Sequence, residues 1–247
     1  MTTESRSPPA SLDRRRAGVL LHLTSLPGCG PCGSLGPEAH AFIDFLADSG
    51  MSVWQMLPVG PTLSERSPYQ NSSAHAGEPL LIALEPLVAA GWLAELPADD
   101  TEAAKLAALS LSWAGFQAQA DDEDRAALAA FSQENRYWLA DYALFRAIHE
   151  DRGQGWWQWP PGLRERKPQS LGRARSRLAA RIDAIVFEQF LFFRQWSWLR
   201  KHATARGIKL FGDMPIFVAH DSAEVWARPQ DFDLHPDGSP RVVAGVP

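Results

Sequence analysis

The sequence predicts an α/β fold in which parallel, barrel-type strands are interrupted by a mainly helical insertion. Three observations carry this. Two short apolar runs flank a helix-patterned segment within about 40 residues, the signature of a βαβ unit with a right-handed crossover. The stretch from about Pro86 to Arg206 then shows mainly helical signals. A third apolar run, Ile208-Lys209-Leu210-Phe211, follows and ends on Gly212 and Asp213. Three strands cannot close an eight-stranded barrel, so the expected sheet is open or partial.

The elements follow in order. Gly18-Val19-Leu20-Leu21-His22-Leu23 reads as a strand buried on both faces. Thr24 to Gly36 is a Gly/Pro-rich loop, and Pro37 suits the first turn of a helix. Ala39, Phe42, Ile43 and Leu46 recur at helical spacing, and Gly50 suits the C-terminal cap. Ser52 to Leu57 is the second strand. Pro58 to Pro79 is a long loop, a common home for function. An Ala/Leu-rich run (Ala103 to Leu111) and a segment from Glu134 to His149 are helical. Gly153 to Pro168 is rich in Trp, Gly and Pro and is expected to be irregular. A helix from about Leu178 to Ala205 carries Phe187, Phe190, Leu191 and Trp198 on one apolar stripe, and Gly207 caps it. The expected organisation is a polar N-terminus (1–16), first strands with the long loop after them (17–85), a helical insertion (86–177) and a resumed α/β part (178–247).

Composition narrows the function. The chain has 247 residues, 45% of them hydrophobic, with ten Trp and 12 Phe available for a core or for stacking on sugars. The net charge of -5 argues against nucleic acid as a partner. No apolar stretch approaches the roughly 20 residues that span a bilayer. The expectation is a cytoplasmic protein without cofactor or metal, because no metal-ligand spacing and no Gly-rich phosphate loop occur. Arg14-Arg15-Arg16 reads as a solvated edge. Cys29-Gly30-Pro31-Cys32 has redox spelling but sits in a Gly/Pro loop rather than at a helix start, so two reduced thiols are expected.

Several ordered blocks then resemble one family. They include His22-Leu23-Thr24-Ser25-Leu26-Pro27-Gly28, Trp54 to Thr62, and Ser67-Pro68-Tyr69-Gln70 with Ser73, Ala74, Ala76 and Gly77. Phe193-Arg194-Gln195-Trp196, Gly212 to Ala219, Asp221 to Trp226 and Val243 to Pro247 continue the match. Together they resemble the N-terminal half of the amylomaltases, the 4-α-glucanotransferases of glycoside hydrolase family 77. The resemblance implies a partial (β/α)8 TIM barrel with an inserted, mainly helical subdomain. It implies transfer of α-1,4-glucan segments between maltooligosaccharides by a retaining mechanism. The family's three catalytic carboxylates lie beyond the block matching Val243 to Pro247, so no residue here is assigned a catalytic role. A C-terminal half would carry the chemistry, and this chain alone is expected to be inactive and prone to aggregation. The alternative is a non-catalytic α-glucan-binding module.

The residues singled out for substrate contact are Tyr69, Asp213, Ser67 and Gln70. Asp213 ends a strand, on the face where barrel enzymes gather functional groups; its other reading is an Asp bonded to its own turn. Tyr69 can stack on a sugar and donate its hydroxyl, or pack on the rim. Asp221 is expected to N-cap a short helix, with Glu224 completing a capping box. His22 reads as a hydrogen-bonded core histidine, and the Trp156-Trp157-x-Trp159 cluster as packing rather than a glucan platform. His75 and His220 receive no role. Two departures stand out. Leu63-Ser64-Glu65-Arg66 replaces a Gly-Tyr pair that serves an accessory glucan site in relatives, and Ser34 stands where relatives commonly have Asp.

Overall fold

The computed structural model describes residues 15–28 and 30–243. Cys29, Arg14 and the last four positions of the Val243–Pro247 block lie outside them. Three strands, β1 (Gly18–Leu20), β2 (Val53–Gln55) and β3 (Lys209–Phe211), form one parallel sheet in the order β1-β2-β3. Val19 pairs with Trp54, and Trp54 with Leu210. Gly18 has a steric reason: a Cβ there would lie 2.3 Å from the Val53 carbonyl oxygen.

The helices are α1 (Pro37–Asp48), α2 (Glu85–Ala89), α3 (Glu102–Gln119), α4 (Asp122–Glu134), α5 (Arg136–Arg152), α6 (Pro161–Arg164), α7 (Pro168–Arg177), α8 (Ala179–Ala205) and α9 (Ala223–Ala227). The βαβ unit is present as expected, with Pro37 at the start of α1 and Gly50 at φ +73° just after its cap. Ala39, Ile43 and Leu46 bury the α1 face that covers the sheet. Phe42 meets the buried Trp54 ring edge-on at 4.9 Å. The expected irregular segment contains a short 3-10 turn (Trp156–Gln158) as well as α6.

Two strand expectations need correction. The strands are three residues long, although Leu21 N–H to Gln55 O and Met56 N–H to Phe211 O extend the ladder at 3.0 Å. The first strand is not buried on both faces, for Leu20 is 57% exposed. Phe211 on β3 is exposed as well. α1 and α8 pack on one face of the sheet, whereas Leu20 and Phe211 on the other are exposed. On α8, Phe187, Phe190 and Leu191 are buried as expected. Trp198 instead lies at the surface, 40% exposed, with the Arg194 guanidinium 5.1 Å over its ring.

The core forms two clusters with α8 between them. One joins the sheet, α1, α3 and the Trp92–Phe116–Phe187 ring stack. The other gathers α5, α7, α9 and the Trp-rich segment. An ionic lattice ties α5 to α8: Arg181 donates to Glu150 and to the buried Glu188, each at 2.6 Å. Burial pushes the Glu188 carboxyl pKa up, and Arg181 opposes that rise.

Candidate functional site

The loop after β2 folds back on itself. Thr62 and Asn71 form an antiparallel bridge, Leu63 N–H donates to Gln70 O at 2.9 Å, and Ser72 N–H to Pro61 O at 2.8 Å. At the tip, Arg66 adopts φ +57° and its guanidinium pairs with Glu102 at the start of α3. At the base, the Glu78 carboxylate accepts from Thr62 N–H at 2.9 Å. Gln189 on α8 then clamps Gly77: its Oε1 accepts from Gly77 N–H at 2.8 Å and its Nε2 donates to Gly77 O at 2.9 Å. Gln195, two turns further along, holds Ala83 in the same way at 2.8 and 2.9 Å.

This scaffold brings two of the expected residues together. The Tyr69 hydroxyl donates to Asp213 Oδ2 at 2.7 Å, across 144 positions of sequence. The bond favours the protonated phenol, so the Tyr69 pKa is raised. Asp213 Oδ1 accepts from Met214 N–H at 2.8 Å, so the carboxylate also braces its own turn. The turn-bracing reading of Asp213 is therefore present, and its outer face remains exposed. Ser67 supports the pair indirectly, its Oγ accepting from Tyr69 N–H at 3.3 Å. Gln70 is not part of that pair: it lines a cleft of about 780 Å³, with Phe145, His149, Trp157 and His220 among its walls.

Asp213 borders a cavity of about 310 Å³ with Asn71, Ser73, His75, Phe193 and Trp196. Sequence reasoning gave no role to Asn71, Ser73 or Trp196. Asn71 Oδ1 is buried without a partner among the described residues. The Ser73 hydroxyl donates to Glu224 Oε1 at 2.7 Å, across 151 positions. Only the fold reveals that pair.

Other expectations divide. Asp221 is not the cap of α9. Ser222 takes that place, its Oγ accepting from Val225 N–H at 3.4 Å, while Asp221 Oδ2 lies 2.9 Å from His149 Nε2. Glu224 makes no capping box, being turned to Ser73. His22 is half-buried and its Nδ1 has no partner among the described residues, so it is not the bonded core histidine expected; burial lowers its pKa. Trp156 and Trp159 are core residues whose indole N–H groups donate to His220 O at 2.7 Å and Gln154 O at 2.9 Å. Burial pushes the Cys32 thiol pKa up, opposite to the depressed thiol of a redox motif. Among the described residues, no helix is long and apolar enough to cross a membrane.

This is an α/β protein whose candidate site gathers at the carboxyl ends of parallel strands, where α/β sheets bind ligands. The family model for 4-alpha-glucanotransferase matches residues 21–247. The chain belongs to that family, glycoside hydrolase family 77. It is 47% identical over 243 residues to the 4-alpha-glucanotransferase of Thermus thermophilus, covering 94% of this chain and 49% of that protein. It is 43% identical to the enzyme of Synechocystis, covering 96% of this chain and 50% of that one. Its structure superposes on amylomaltase from Streptococcus agalactiae, solved in complex with acarbose, with a TM-score of 0.87 and 34% identity. That match covers 94% of this chain and 50% of the amylomaltase. The chain thus spans about half the length of the curated relatives it matches.

Proposed function

We propose that this chain supplies the substrate-contact part of a 4-α-glucanotransferase that moves α-1,4-glucan segments between maltooligosaccharides with retention of configuration. Its sheet is the first part of a (β/α)8 TIM barrel, and residues 86–177 form the helical subdomain inserted into it. The observation that carries the reading is the 2.7 Å bond from Tyr69 to Asp213. Both groups are exposed, so a sugar can reach them. A carboxylate accepts from two adjacent sugar hydroxyls, and a phenol ring beside it stacks on the C–H face. Ser67 fixes the Tyr69 turn, and Gln70 would meet a glucan hydroxyl only in the separate cleft of about 780 Å³ that it lines. The acarbose complex of the Streptococcus relative supports a sugar-like occupant.

No carboxylate here is assigned as nucleophile or acid. Retention needs two carboxyl groups about 5 Å apart across the scissile bond. Asp213, Asp221 and Glu224 are each committed to a separate partner: Tyr69, His149 and Ser73. In this reading the chain alone holds glucan without turning it over. Incubation with maltotriose followed by thin-layer chromatography tests this. Unchanged maltotriose is expected, and a ladder of longer oligosaccharides from this chain alone would refute it.

A further inference from the structure

We propose that the groove beside His75 and Tyr137 is a second glucan subsite, which lengthens the Tyr69/Asp213 contact toward α5. This rests on the glucan reading above and deepens it. A cavity of about 420 Å³ lies between α5 and α9, with Tyr137, Trp138, Glu224 and Arg228 among its walls. His75 and Val218 border both this cavity and the one that holds Asp213. The two cavities are therefore neighbours on either side of His75, and a linear ligand seated at Asp213 that passes His75 reaches the second one.

The lining suits a sugar. The His75 ring lies nearly parallel to Trp138, at 5.9 Å and 22°. Tyr137 meets His75 edge-on at 5.7 Å and 84°. Tyr137 stands near the first residue of α5, yet it is 63% exposed and contributes nothing to the core. An exposed aromatic ring beside a groove offers its face to the C–H groups of a pyranose at little entropic cost. The polar groups along the wall are of both signs: Asp141, which Arg166 pairs at 2.5 Å, Glu224, which accepts from Ser73, Asp231 and Arg228. Mixed donors and acceptors recognise neutral hydroxyls, whereas the three carboxylates disfavour a phosphate or another anion. The Ser73–Glu224 hydrogen bond joins the walls of the two cavities and fixes their relation.

The test compares a short and a long ligand. The chain, its Tyr137→Ala variant and its Tyr137→Phe variant are titrated calorimetrically with maltotriose and with maltoheptaose. Losing one stacking ring weakens maltoheptaose about 5–10-fold in Tyr137→Ala. Tyr137→Phe keeps the ring and stays within about twofold of the unchanged chain. Maltotriose, short enough for the Asp213 side alone, binds all three alike. Because Tyr137 is exposed, melting temperatures are unchanged and folding does not confuse the result. Equal maltoheptaose affinity in the chain and Tyr137→Ala overturns the subsite, as does an equal loss for both sugars. No heat from the unchanged chain with either sugar overturns the glucan reading itself, and the subsite with it.

Discussion

The Gln189→Leu variant probes how the candidate site is held in place. Gln189 is fully buried on α8 and its amide makes two hydrogen bonds, at 2.8 and 2.9 Å, to the two backbone groups of Gly77. Leucine is of similar volume and removes both. It leaves a buried N–H and a buried C=O unpaired, each costing about 1–3 kcal/mol. The gain from burying an apolar side chain offsets roughly 1–2 kcal/mol of this. The midpoints of these ranges leave a net loss of about 2.5 kcal/mol, or a fall in Tm of about 5–10 °C for a chain of this size. Urea and thermal unfolding followed by circular dichroism measure it. A loss below about 1 kcal/mol would refute the reasoning, because it would mean that Gly77 finds other partners. The site should respond too, since Gly77 closes the loop that carries Tyr69. Gln195→Leu should act alike at Ala83, and the two losses should add if the clamps are independent.

Three further outcomes follow from other contacts. A Cβ at Gly77 would lie 2.1 Å from the Phe192 ring, so Gly77→Ala should cost about 1–3 kcal/mol by overpacking; wild-type stability in urea would contradict the close approach. Burial lowers the His22 pKa below 6.5, so the unfolded chain takes up this proton more readily than the folded one. Its stability contribution is full above pH about 6.5 and is lost as pH falls through the lower folded value, so His22→Gln should show a flatter stability curve between about pH 7 and 5. Parallel curves would refute that. The exposed Leu20, Phe211, Met214, Ile216 and Phe217 form an apolar surface on and beyond the sheet, so sedimentation velocity should show self-association rising with concentration. A monomer at every concentration with a cooperative melt would contradict it.

Local chemistry made much of the fold legible. Pro37, the Ala39–Ile43–Leu46 spacing and Gly50 mark α1 because start, face and stop depend on neighbours in sequence. The exposure of Leu20 was not legible, since an apolar run says that a strand wants cover and not whether cover is present. Asp221 and Ser222 are both good caps in sequence; His149, 72 positions away, draws Asp221 off and leaves Ser222 to cap α9. At the candidate site, Tyr69 and Asp213 were singled out largely through a family resemblance, and the bond between them needs the β2 loop and the β3 end side by side. Ser73 with Glu224 and Gln189 with Gly77 are likewise long-range pairs that no local pattern announces.

The central claim is that Asp213, held by Tyr69, contacts α-glucan. Calorimetric titration of the chain and of Asp213→Ala with maltoheptaose tests it most directly. Asp213 is exposed, so losing its bonds to Tyr69 and Met214 N–H should lower the Tm only slightly and leave the variant folded. The account predicts measurable heat from the chain at millimolar ligand and an affinity at least about 10-fold weaker in Asp213→Ala, as expected for losing a charged acceptor. No heat from the chain, or equal affinity in the two, would contradict it.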